Sequence, residues 1–174
     1  MHKRLSASFA MLAVLSVLFM QMSFAEQLTV ELVRAKAIAA ANLIKAEGKA
    51  AFEKIRDPKG EFRFGNGEGY CWIEKTDGTM QMHPLKPTME SKNFSMIKDS
   101  NGKYFDVSFQ NIIKKYGAGW SMYTWPKAGQ TKASPKASYV VSAGGDLFVG
   151  SGLYDVTEQD IKAKFPNDFV DTEK

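Results

Sequence analysis

The chain has 174 residues, with 23 Lys and Arg against 19 Asp and Glu, and its net charge of +4 is modest. The basic residues are scattered rather than gathered in one stripe, which argues against a nucleic-acid partner, and the length suits one domain with a true hydrophobic core. One cysteine and two histidines exclude an internal disulfide and leave no multi-ligand zinc or haem site, so neither a metal nor a cofactor is expected.

His2, Lys3 and Arg4 precede an apolar stretch from about Phe9 to Met20, and Ser23-Phe24-Ala25 supplies a small-x-small cleavage signal. Residues 1–25 therefore read as a secretory signal peptide, with a mature start at Glu26 and a periplasmic or secreted product. An uncleaved anchor is the competing reading, but the apolar run falls short of the ~20 residues that span a bilayer. With Lys3 and Arg4 gone, 21 basic residues face 19 acidic ones. His83 is then the single histidine of the mature chain, and Cys71, flanked by Tyr70 and Trp72, reads as a buried, inert thiol.

A long amphipathic helix is expected over about 28–56. Strong helix formers fill it, and Val30, Val33, Ala37, Ala41, Ile44 and Phe52 form a stripe near the 3.6 period, with a break at Gly48. Ala35, Ala39, Ala46 and Ala50 offer a face on which two copies of the helix pair as a homodimer, although helix propensity alone accounts for alanine there. Pro58 and Gly60 end this helix, and the glycines at 65, 67 and 69 lead into a sheet.

Tyr70 to Lys75 and Thr79 to Met82 flank Asp77-Gly78 and read as an antiparallel hairpin. Alternation puts Tyr70, Trp72 and Glu74 on one face and Cys71 and Ile73 on the other. Pro84 and Pro87 close the second strand. A helix from about Lys103 to Tyr116 ends at Gly117, and strands follow at Trp120 to Trp125, Ser138 to Ala143 and Leu147 to Leu153. The first of these groups Ser121, Tyr123 and Trp125 on one face. Thr157 and Asp160 then start a short helix over about 158–166. The order predicts an α+β fold, a five-stranded antiparallel sheet with flanking helices.

GYCWIEKTDGTMQMHP, SKNFSMIKDSNGKYF, GAGWSMYTWPKAG, PKASYV and VGSGLYD, in that order from about Glu53 to Asp155, resemble the successive motifs of the single Cache domain of type 2. The resemblance implies a long N-terminal helix, a PAS-like core over about 60–156 within one domain spanning 26–174, and a concave face that holds a small ligand. Members of that family commonly form the sensing parts of chemoreceptors and histidine kinases, and many bind short organic acids such as lactate, pyruvate, acetate or propionate. The chain departs from the usual setting in its tail, Asp168 to Lys174, which holds no transmembrane exit; a signal would then pass in trans to a membrane receptor or histidine kinase.

The matching positions supply Tyr70, Tyr123 and His83 as hydrogen-bond donors, Lys136 as the positive charge, and Trp72 and Trp125 as apolar walls. Lys127 and Lys132 read as solvated, and Asp155 as a weak site candidate or a receiver of an amine. Two further readings remain beside ligand sensing. One is an interaction or structural protein whose cavity is filled by side chains; the other is an enzyme using His83 as general acid or base, for which no second matched group lies nearby, so no enzymatic activity is expected.

Overall fold

The computed structural model describes residues 26–173; the expected leader, at residues 1–25, lies outside them. Helix α1 (Val30–Glu47) starts where the Thr29 hydroxyl accepts the Leu32 amide, and Glu31 complements the positive end of the helix. Its buried stripe is Val30, Val33, Ala37, Ala40, Ala41 and Ile44, and it lies across strands β5 (Ala133–Gly144) and β6 (Leu147–Tyr154). The expected break at Gly48 is a single 3-10 turn before α2 (Ala51–Arg56). Ala35, Ala39, Ala46 and Ala50 all face outward.

The five expected strands form the body of the sheet: β2 (Gly69–Lys75), β3 (Met80–Met82), β4 (Ala118–Pro126), β5 and β6. Two strands of two residues join them, β1 (Arg63–Phe64) and β7 (Val170–Asp171), giving seven among the described residues. The order is β1-β2-β6-β5-β4-β7, with β3 following β1 along the edge of β2 opposite β6. All pairings are antiparallel except β4 with β7. Both expected glycine turns form, one joining β2 to β3 and the other β5 to β6.

Period-two alternation divides the sheet into two faces with different chemistry. Cys71, Ile73, Trp120, Ala137, Tyr139, Val149 and Leu153 pack against α1, α2 and α4 (Glu158–Lys164) in a closed apolar core. Burial pushes the Cys71 thiol up to about 12, which makes it inert. On the opposite face, Tyr70, Trp72, Tyr123, Val140 and Phe148 meet helix α3 (Phe105–Tyr116) and the segment after β3. That second layer is mostly aromatic, and it holds the cavity.

Two glycines on β6 make room on this face. Gly150 lies opposite Trp72 in register, and a Cβ there would collide with the indole. A Cβ on Gly152 would collide with the Ser138 hydroxyl and lie 2.9 Å from Lys136 Cε. The small residues at these alternate positions thus allow a Trp and a Lys to lie flat across the strand. Gly150→Ala is expected to lower stability by about 1–3 kcal/mol through overpacking, measured by urea unfolding. It should also change the Trp fluorescence, because the Trp72 ring must move into the cavity.

Candidate functional site

The cavity lies between the sheet and α3, with a volume of about 30 Å³. One water needs roughly 10–15 Å³ on this scale, so the space suits a group of only a few heavy atoms. Tyr70, Trp72, His83, Tyr123, Trp125 and Lys136, the six residues singled out from sequence, all line it. Met80, Met89, Phe94, Phe105 and Phe109 complete the apolar wall. Phe105 stacks on Tyr123 at 4.9 Å between centroids and meets Trp125 edge-on at 5.1 Å, which seats the start of α3 over the site.

Lys136 sits in the middle strand β5, its backbone opposite Tyr123 on β4 and Tyr154 on β6. It is only 3 % exposed. Its ammonium makes one hydrogen bond, to the Tyr70 hydroxyl at 3.3 Å, and lies 5.1–5.9 Å from the ring centroids of Tyr154, Tyr70, Trp72 and Tyr123. Among the described residues no carboxylate pairs with it. Ring faces return part of the lost hydration of a cation, on the order of 1–2 kcal/mol each when desolvated. They accept no hydrogen bond in line with the remaining N–H groups, so the charge is left undercompensated for a buried site.

The other polar groups around it are donors. Burial pushes the Tyr70 and Tyr123 phenols up to about 12, so both remain protonated. The Tyr123 hydroxyl shares a 3.0 Å hydrogen bond with Ser138. The Nδ1 of His83 accepts the backbone amides of Leu85 (3.2 Å) and Lys86 (3.1 Å), the turn that Pro84 starts. That fixes the neutral tautomer with its proton on Nε2. Burial, together with the charges of Lys136 and Lys86, lowers the ring from its ordinary 6.5 to about 4. His83 therefore stays neutral at ordinary pH and presents an N–H.

Glu74 and Asp106 also border the cavity, and neither was singled out from sequence. Alternation did place Glu74 on this face; its burial, at 1 % exposure, was not legible. Glu74 Oε2 accepts from the Trp72 indole at 3.2 Å, and Asp106 Oδ2 from Gln110 at 2.8 Å. Burial first, then the Asp106 carboxyl beside it, raise Glu74 well above the usual carboxylate range. Tyr154, another aromatic around Lys136, was likewise missed. Asp155 receives an amine, that of Lys127 at 2.5 Å in a solvent-exposed pair, and does not line the cavity.

His83 is tied to the N-terminal helices through its backbone. Glu90 accepts its amide at 3.0 Å and also takes the Arg56 guanidinium at 2.6 Å, at the end of α2. The rim of the cavity and the end of the helical segment thus share one carboxylate.

Comparison with known proteins gives consistent results. A Cache domain family model matches residues 31–172. The methyl-accepting chemotaxis protein McpP of Pseudomonas putida is 29% identical over 110 residues, 60% of this chain and 19% of that receptor, so the chain spans about a fifth of its curated relative. A solved "Periplasmic sensor domain of chemotaxis protein" is 31% identical with a TM-score of 0.60, covering 71% of this chain and 93% of that one. A structure solved for "carboxylic acid recognition by a Cache chemosensory domain" is 27% identical, also at a TM-score of 0.60, covering 74% and 91%.

A buried histidine held neutral leaves a signature in acid. As pH falls below about 6.5 the unfolded chain takes up its proton first, and stability drops until the folded ring also titrates near 4. The loss is up to about 3 kcal/mol over that window. Urea unfolding at pH 7 and pH 4.5 should show a smaller loss for His83→Asn, whose side-chain oxygen can still accept the Leu85 and Lys86 amides. Equal losses in both proteins would contradict the buried neutral ring.

Proposed function

The chain belongs to the Cache domain family, and from that premise we propose that it is an extracytoplasmic sensing module that binds a short organic carboxylate, of the size of acetate, propionate, pyruvate or lactate. The observation that carries the reading is Lys136, a buried cation without a carboxylate partner among the described residues, aimed into a cavity of few-atom size. A carboxylate on Lys136 would supply the missing charge and accept from the Tyr70 hydroxyl and His83 Nε2 as well. Charge-assisted hydrogen bonds of this kind are the strong ones. Trp72, Trp125, Tyr123 and Phe105 would enclose the alkyl part and exclude water, the usual composition of a small-molecule site. The carboxylic acid recognised by a related Cache structure supports the same ligand class.

The setting proposed is periplasmic or secreted, with residues 1–25 as leader and 26–174 as one ligand-binding domain. Its output passes to a membrane receptor or histidine kinase in trans, and the outward alanines of α1 provide a face on which two copies pair. Enzymatic use of His83 has less support: two backbone amides occupy Nδ1, and its lowered pKa disfavours the protonated form a general acid needs.

Isothermal titration of the protein with short carboxylates is expected to show saturable 1:1 binding without turnover. Lys136→Met should weaken it by about 1–3 kcal/mol, the range for losing a charge-assisted hydrogen bond. The same substitution should leave the ligand-free protein as stable or more stable, because it replaces an undercompensated buried charge by an apolar chain of similar length. A Lys136→Met protein that binds undiminished would overturn the assignment.

A further inference from the structure

His83 reaches the cavity from a segment that the sheet does not hold. Strand β3 ends at Met82 and Pro84 follows His83 directly, so the backbone leaves the ladder there with the His83 amide in need of an acceptor. Glu90 Oε1 supplies it at 3.0 Å, which closes the loop 83–90 on itself. Inside that loop His83 Nδ1 accepts the Leu85 and Lys86 amides, the 3-10 turn Pro87–Met89 follows, and Met89 lines the cavity beside His83. Ring and loop are thus one unit. The position of His83 Nε2 in the cavity is set by where Glu90 is held.

Arg56 holds Glu90. Its guanidinium meets the carboxylate with both terminal nitrogens, Nη1 on Oε1 at 2.6 Å and Nη2 on Oε2 at 3.3 Å, a planar fork that fixes orientation as well as distance. The hydrogen bonds from Arg56 keep the Glu90 carboxyl below its ordinary value, so it is ionised at neutral pH. Arg56 is the last residue of α2, whose Ala51 and Ile55 are fully buried in the core on the α1 face. The fork therefore ties the cavity rim to a helix end packed on the opposite side of the sheet. Both side chains remain partly exposed, so the pair can be cut at a modest cost to stability.

We propose that Glu90 and Arg56 are positioning residues for ligand binding, acting through His83 without touching the ligand, and that an occupied cavity in turn steadies the end of α2. The inference rests on the carboxylate reading given above, in which His83 Nε2 donates to the ligand. Its second half follows from reciprocity: whatever free energy the fork contributes to affinity, the bound ligand returns to the fork. The end of α2 is then the element whose stability reports occupancy.

The test is isothermal titration of acetate and propionate into the wild type, E90A, R56M, H83A and H83A/E90A, with hydrogen exchange over residues 51–57 followed at zero and saturating ligand. E90A and R56M should each bind about three- to tenfold more weakly, as expected of a partly exposed pair. E90A should cost nothing further in H83A, because its effect passes through the imidazole. Exchange over 51–57 should slow with ligand in the wild type and stay unchanged in saturated E90A. Should E90A fail to fold, R56M, which leaves the His83 amide its acceptor, carries the same expectations for affinity and exchange. Undiminished affinity in both variants, an E90A loss that persists in H83A, or exchange over 51–57 indifferent to ligand would overturn the proposal and leave the carboxylate reading intact. Failure of the wild type to bind either acid would remove both.

Discussion

A lysine ammonium in the middle of a sheet, out of reach of water, is the constraint around which the ligand-facing half of the molecule is arranged. Lys136 has Tyr123 and Tyr154 opposite it on the two neighbouring strands, Tyr70 as its hydrogen-bond partner and the Trp72 indole beside it. These rings make the burial tolerable without neutralising the charge. The glycines at 150 and 152 leave space for the Lys136 chain and the Trp72 ring to lie across β6. Without them, the same residues would not pack on one concave surface.

The two faces of the sheet do different work. The α1 face is a closed apolar core, in which Trp120 and Tyr139 pack among aliphatic and small residues, and it supports the strands. The α3 face is aromatic, polar at both ends and incompletely filled. Helix α3 is positioned from several sides: Asp99 accepts the amides of Asn101, Lys103 and Thr124, Lys103 bonds both Met122 O and Asp171, and Phe105 stacks on Tyr123. The cavity therefore closes through elements anchored in sequence far from it. The Arg56–Glu90–His83 link gives a physical route by which a ligand that repositions the rim would act on the end of α2.

Much of this was legible in the sequence because period-two alternation and turn chemistry are local signals. Tyr70, Trp72 and Glu74 share a face because a strand alternates, and Asp77-Gly78 and Gly144-Gly145 turn because such pairs tolerate the hairpin backbone. Strands β1 and β7 were not legible, since two residues carry no period. β7 is held by long-range contacts, the Phe169 carbonyl on the Trp120 amide and the Tyr116–Phe169 stack. Within the site, the residue types with obvious ligand chemistry stood out, whereas Asp106 did not, because its partner Glu74 is met only when α3 folds over β2. The neutrality of His83 was likewise hidden. It depends on where two backbone amides and two lysines fall in space.

That Lys136 is held in reserve for an anion is checked most directly by a crystal structure grown with saturating propionate and, in parallel, acetate. A carboxylate is expected within hydrogen-bond distance of Lys136 Nζ, Tyr70 Oη and His83 Nε2, with the aromatic wall closed around it. A cavity that stays without ligand at saturating concentration, or a ligand bound elsewhere with Lys136 turned toward a protein carboxylate, would contradict it.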